Sequence, residues 1–256
     1  MTAFALKLIA VISMLIDHTG ILLFDRHLIA RDLYLWMRIA GRFAFPIYSF
    51  LLAEGFRHLR ADRERLLKHL LMLVTLAAFS EFPFDWLFHG KIHYTDNQSV
   101  MFTLLFAFLA LMLSEQFRDR LLPRFGCWVM AMALAASINT DYGASGVLLV
   151  FLCSLYLERF EDWGYGRRLL GALGVILGYY SFYMWVSSGF GSPAAAWKHF
   201  LAMSRYFAPH LILIPLLAAY DGERGLRNRF LHRCYQWFYP AHLTVLCGIA
   251  YLLGRQ

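Results

Sequence analysis

The stretch FALKLIAVISMLIDHTGILLF, Phe4 to Phe24, decides how the chain is read. It has about the length of one membrane-crossing helix, which needs ~20 apolar residues. Yet it carries Lys7, Asp17 and His18. Within a crossing helix, Lys or Asp at the centre costs at least ~2.5–3.5 kcal/mol, and such groups usually face a protein interior or a wet cavity. Lys7 and His18 are eleven residues apart. That is about three helical turns, so they share a face and stand about 16 Å apart along the axis. One face therefore presents a cation near one membrane surface and an imidazole deep inside.

The rest of the chain supplies the surroundings of that helix. Its 256 residues are 60% hydrophobic and 17% aromatic, with a mean hydropathy of +0.52. A soluble domain lies near ~45–50% apolar, so the expected class is an all-α, polytopic membrane bundle forming a single domain over 1–256. The net charge of +7 does not point to nucleic acid, because the basic residues sit in short loops between apolar runs. Cys127, Cys153, Cys234 and Cys247 are scattered singly, without metal-ligand spacing, and are expected to be buried free thiols. Asp17 and His18 interrupt the first apolar run and no A-x-A-like site follows, which argues against a cleaved signal.

About nine crossings are expected, with eight and ten as bounds: 4–24, 34–56, 67–88, 100–117, 125–140, 144–158, 169–187, 206–220 and 235–253. Alternate loops differ in Lys and Arg: one set holds fifteen, around 57–68, 118–124, 159–168 and 224–233, and the other holds five. Basic loops stay in the cytoplasm, so the N-terminus is expected inside and the C-terminus outside. Ser187 to Arg205 is too polar to cross and reads as an outer loop. Gly171, Gly174 and Gly178 read as a helix-packing seam.

This topology assigns depth. Asp17 and His18 share an outer layer with Arg38 and Arg42, which are spaced i, i+4 on one face of the second crossing; Pro46 is expected to kink that segment. Glu54 shares the inner layer with Lys7, and Tyr239 and His242 open the last crossing near the same surface. Glu81, Asn97 and Asp141 lie toward the outer side. Some of these groups have plain readings: Lys7 snorkels to the surface, Glu54 partners Lys7, and His210, beside a proline, is structural. Asp17, His18, Arg38 and Arg42 together are either a buried ion-pair cluster or a polar cavity. In the cavity His18 acts as general base and the arginines hold an anionic ligand or an oxyanion. Asp17 points about 100° away from His18, which favours Arg38 or Arg42 as its partner.

These residues also carry a resemblance. Lys7, Met14, Asp17-His18, Arg38, Gly41-Arg42, Ala44-Phe45-Pro46, Phe50 and Glu54-Gly55-Phe56 resemble the TraX family, associated with acetylation of F pilin. The likeness continues through Ser80-Glu81, Pro83-Phe84, Asn97, Phe102-Thr103-Leu104, Asp141-Tyr142, Gly146-Val147, Asp221-Gly222, Arg224-Gly225 and Tyr239-Pro240 to His242-Leu243, covering nearly the whole chain. The Lys7-to-His18 spacing is also similar to the first-helix motif of membrane O-acyltransferases, whose arginine motif Arg38 and Arg42 match only in part. The resemblance implies a multi-pass enzyme of the inner membrane that takes acetyl from cytoplasmic acetyl-CoA to an acceptor outside. The acceptor implied is the N-terminal amine of pilin or another exported peptide, with a sugar hydroxyl next. Lys7, Glu54, Tyr239 and His242 are then candidates for the donor's nucleotide end, and Glu81, Asn97 and Asp141 for the acceptor entrance. Partners are acetyl-CoA, this acceptor and membrane lipid, with no metal.

Two other classes stay open. A proton-coupled transporter also uses intramembrane Asp, His and Arg. A serine protease is suggested by Gly143-Ala144-Ser145-Gly146 with a later His242, though the assigned depths separate those two residues.

Overall fold

A computed structural model describes residues 1–189, 191–192, 194–195, 197–198, 201, 208–226 and 228–254. Its named elements are α1 (Ala3–Asp25), α2 (Arg31–Gly41), α3 (Ala44–Leu59), α4 (Arg63–His89), α5 (Val100–Gln116), α6 (Leu121–Ser137), α7 (Gly143–Glu158) and α8 (Tyr165–Ser187). A 3-10 turn (Ala208–Ile212) then runs into α9 (Leu213–Ala218), and α10 (Arg229–Leu252) follows. The all-helical expectation holds. The α1, α4 and α8 helices, of 23, 27 and 23 residues, are long and apolar enough to cross a membrane, while α5, α6 and α7 are apolar but shorter. Leu8, Ile12 and Leu15 form an exposed apolar stripe on α1, the face that lipid rather than water suits.

Local chemistry sets the helix ends. Thr2 and Asp62 accept the N–H groups of Ala5 and Arg65, which are otherwise orphaned in a first turn. Asn228 caps α10 by accepting from Phe230 at 2.8 Å. Gly90, at φ +66°, closes α4 in the left-handed conformation that only glycine adopts freely.

Two expected crossings are modified. The second is split: α2 ends at Gly41 and α3 begins at Ala44, while Arg42 and Phe43 between them keep right-handed dihedrals. Pro46 has no N–H to offer the Arg42 carbonyl four residues earlier. His210 supplies a donor instead, with Nε2 3.2 Å from that oxygen, so its structural reading holds. In the expected eighth crossing, the helical part among the described residues is the 3-10 turn and α9. Residues 206–207, nine residues of the expected outer loop from Ser187 to Arg205 (190, 193, 196, 199, 200 and 202–205), and Arg227 lie outside the described residues.

Six helices close a ring. Contacts run from α1 to α10, α10 to α4, α4 to α5, α5 to α7, α7 to α3, and α3 back to α1, with α2 against the outer half of α1. The α1 and α10 helices run parallel: Lys7 meets Tyr235, His18 meets His242, and Leu22 packs with Leu246. The α6 and α8 helices buttress α7 from outside the ring, α6 reaching α5 as well.

The two ends of the bundle carry different loops, as the charge alternation requires. At one end Arg57 pairs with Glu161 at 2.8 Å, Arg60 and Arg118 with Glu115 at 3.5 Å, and Arg124 with Glu158. Arg168 reaches the Tyr220 carbonyl there. Exposed pairs of this kind contribute only ~0–1 kcal/mol each, but they gather three of the four basic loops at a single end, with Tyr220 leading into the fourth. At the other end Gln98 N–H donates to Asn139 O and Asp141 N–H to Gln98 O, stitching the loop before α5 to the turn before α7.

Two smaller expectations are corrected. In the glycine seam, Gly171 sits against Trp163 and Tyr156, and Gly178 faces Leu152, but Gly174 faces open space. Of the four free thiols, Cys127 and Cys153 are buried and Cys247 is half-buried, whereas Cys234 is exposed near the basic end.

Gly146 marks where α7 meets α3 and α5: a Cβ there would lie 2.6 Å from Thr103 and 2.8 Å from Phe45. Gly146→Val should lower stability by about 1–3 kcal/mol through overpacking. Thermal unfolding of the purified protein in detergent will show this as a fall in its midpoint.

Candidate functional site

Between the ring helices and α2 lies a partly open chamber of about 260 Å³. Its polar wall comes from Asp17 and His18 on α1, Arg38 on α2, Arg42 at the kink, Tyr48 on α3, Asn97 and Asp141 from the loops, Tyr142 at the start of α7, and Tyr239 on α10. Met14, Phe45, Phe84, Phe88 and Leu104 are among its apolar lining. The four residues assigned to one layer from sequence thus share one cavity.

Adjacent residues on α1 point about 100° apart, so Asp17 and His18 reach different neighbours. Asp17 Oδ2 lies 2.5 Å from Arg38 Nη1, the partner its direction foretold. The Asp17 side chain lies directly over Gly41: a Cβ at Gly41 would come within 2.2 Å of it. The Gly41-Arg42 pair therefore joins a close approach to a cation. No described side chain makes a hydrogen bond or ion pair with the Arg42 guanidinium, and the residue lines the chamber.

His18 turns the other way. Its Nδ1 lies 2.7 Å from His242 Nε2, and His242 Nδ1 lies 2.8 Å from the Phe238 carbonyl oxygen. Phe88 and Tyr239 meet the His18 ring edge to face. This corrects the depth of His242 and Tyr239, which sit beside His18 and not at the end where Lys7 lies. Hydropathy starts the last crossing at 235, but Asn228 caps a helix that begins at Arg229. His242 is therefore about 20 Å along α10 at 1.5 Å per residue. The cap residue was the sequence signal for this.

At the Lys7 end, the ammonium lies 5.0 Å over the Tyr235 ring. Glu54 is not its partner. Its Oε1 accepts from Tyr220 at 2.7 Å and meets His58 Nε2 at 2.7 Å. Tyr220 follows α9, whose position hydropathy alone does not give. Tyr48, which the sequence did not single out, packs against Tyr235 with ring centroids 5.8 Å apart. These two rings stand between Lys7 and the chamber.

The outer candidates divide. Asn97 and Asp141 line the chamber, but Glu81 does not; its Oε2 accepts the Ser99 N–H at 3.1 Å, holding the loop that starts α5. Thr103 donates to the Asp141 carbonyl and lies 2.9 Å from the Thr140 hydroxyl. Tyr142 then adopts φ +66°, with its ring stacked on Phe45 at 3.8 Å. A bulky side chain at positive φ costs on the order of 1–3 kcal/mol, and it is held where it walls the chamber. Ser145 is buried in the first turn of α7 and is not part of that wall. Among the described residues no group of three or more His, Cys, Asp or Glu side chains suits a metal ion.

A family model described as TraX protein matches residues 3–250. The chain belongs to the TraX family. It is also 28% identical over 259 residues to a protein of Dichelobacter nodosus described as probable fimbrial assembly protein FimC, serogroup H1, with 96% of this chain and 95% of that protein covered. No solved structure matches the chain. Apolar helices and TraX membership together make this a membrane protein.

Gly41→Ala should displace Asp17 from Arg38 and destabilise the TraX-family chain by about 1–3 kcal/mol. Asp17→Gly removes the Cβ, Cγ and Oδ1 atoms that collide, so the double variant should lose less than the two single losses added together. Thermal unfolding of the four proteins gives the coupling; strict additivity would show that the two residues do not share this contact.

Proposed function

We propose that the protein is a multi-pass acetyltransferase of the inner membrane, with its basic end in the cytoplasm, which passes acetyl from acetyl-CoA to an acceptor on the other side. The observation that carries this reading is the placement of His18 and the uncommitted Arg42 guanidinium on one small chamber inside an apolar ring. Imidazole is the side chain suited to taking and returning a proton near neutral pH. A guanidinium in water-poor surroundings stabilises the charge that grows on a thioester carbonyl oxygen during attack.

The residues take these roles. Lys7 and the basic loops offer countercharge to the nucleotide phosphates at the cytoplasmic end. The pantetheine arm passes Tyr235 and Tyr48 to bring the thioester to His18. The acceptor nitrogen attacks the thioester carbonyl carbon while its proton goes to His18; the carbon–sulfur bond then breaks and the thiolate leaves with that proton as free CoA. Arg42 faces the carbonyl oxygen, and the Asp17–Arg38 pair keeps the second guanidinium beside it. Asn97 and Asp141 receive the acceptor. TraX membership and likeness to a probable fimbrial assembly protein support an amine of a pilin or another exported peptide as acceptor, with a sugar hydroxyl as the alternative.

The test uses purified protein in lipid nanodiscs, titrated with acetyl-CoA while binding and thioester turnover are followed. Wild type should bind saturably and turn over. His18→Ala should keep binding and lose about 10²–10⁴-fold in turnover, and Arg42→Lys about 10²–10³-fold, because a point charge does not replace a planar fork. Absence of saturable acetyl-CoA binding overturns the proposal, and solute accumulation in sealed vesicles would then favour a transporter.

A further inference from the structure

The contact between His18 and His242 has a polarity that the geometry gives once His242 is neutral, the form that burial among apolar helices favours. A carbonyl oxygen only accepts, so the 2.8 Å contact with Phe238 O places a hydrogen on His242 Nδ1. With His242 neutral, its Nε2 carries a lone pair and no hydrogen. That nitrogen lies 2.7 Å from His18 Nδ1, so His18 Nδ1 is the donor. The two rings are nearly coplanar, 12° apart, with centroids separated by 5.0 Å. That separation exceeds the nitrogen–nitrogen distance by roughly one ring radius at each end, so the two nitrogens lie on the line between the ring centres. The rings therefore meet edge to edge, the arrangement of a linear N–H···N bond. His18 Nδ1 is thereby occupied, and the lone pair of a neutral His18 is on Nε2, which has no hydrogen-bond partner among the described residues.

We infer that His242 is a positioning residue, a neutral acceptor that holds His18 in the tautomer with its hydrogen on Nδ1 and its lone pair on Nε2, open to the chamber. This rests on the acetyltransferase reading for its use, although the tautomer itself does not. Proton traffic then has one route. His18 Nε2 takes the acceptor's proton as the carbon–nitrogen bond forms. It returns that proton to the departing sulfur as the carbon–sulfur bond breaks. The Nδ1 hydrogen stays on His18 throughout, and its bond to His242 strengthens while His18 is cationic. The second imidazole occupies the place that a carboxylate fills in a Ser-His-Asp triad. A neutral partner fits here because the nearest carboxylate on α1, Asp17, is committed to Arg38. Phe238, whose ring lies 8° from the plane of His242 at 4.7 Å, fixes the orientation of the acceptor ring in turn.

The experiment is ¹⁵N solid-state NMR of histidine-labelled protein in lipid nanodiscs at neutral pH, with the two residues assigned by the signals lost in His18→Asn and His242→Asn. The expected wild-type result is His18 protonated on Nδ1 alone and bonded to His242. In His242→Leu, His18 should shift toward the Nε2-protonated tautomer, and turnover with acetyl-CoA should fall through kcat with KM little changed. His242→Gln places an amide oxygen where the imidazole Nε2 stood and should restore both the tautomer and most of the rate. An Nε2-protonated His18 in wild type, or equal losses in the Leu and Gln variants without a tautomer change, overturns the inference. If His242→Leu does not fold, the wild-type and His242→Gln spectra still decide. The expected tautomers without any acetyl-CoA binding in wild type would refute the acetyltransferase and leave the His18–His242 polarity standing.

Discussion

The ion pair between Asp17 and Arg38, laid over Gly41, is the constraint on which the rest of the structure depends. A carboxylate at this depth among apolar helices is untenable without a partner, and α2 supplies it only by coming close enough that no Cβ fits at Gly41. That approach fixes where Arg42 falls. The kink ahead of Pro46 then turns α3 so that Phe45 and Tyr48 wall the same chamber. Because Asp17 is taken by Arg38, its neighbour His18 is left to a different partner on a different helix.

The ring distributes work between its members. The α3, α5 and α7 helices hold the tightly buried apolar side chains, including Phe50, Phe108 and Leu149, and give the wall its rigidity. The α1, α2 and α10 helices carry the groups with chemistry. Strain at Tyr142 is located where the rigid side meets the reactive one, and the loop-to-turn stitching between Gln98, Asn139 and Asp141 holds it there. This is the arrangement a preorganised site needs: reactive groups aimed by neighbours that cannot relax around them.

Much of this was legible in the sequence, and the parts that were not have physical causes. Charged residues inside an apolar run stand out, so Lys7, Asp17, His18, Arg38 and Arg42 could be found, and loop charge gave their relative depth. The Asp17–Arg38 pairing followed from the angle between adjacent helical residues. Hydropathy, however, reports where apolar residues begin and not where a helix begins. The polar first turns of α10 are therefore invisible to it, and hydropathy alone sets His242 too near the surface. Glu54 was assigned to Lys7 because charge attracts charge, whereas the actual partners, His58 and a tyrosine after a short broken segment, are a local i, i+4 contact and a long-range one. Glu81 was read as part of the entrance, but a carboxylate can equally serve a backbone N–H, and periodicity does not tell the two apart.

The closing rung of the ring joins residues 224 positions apart, on the first helix and the last. The order of synthesis therefore matters. Until α10 has left the ribosome, the chain has a slot where its wall should be, with His18 and its neighbours open toward lipid. A product truncated before Arg229 therefore lacks one side of the chamber and the partner of His18.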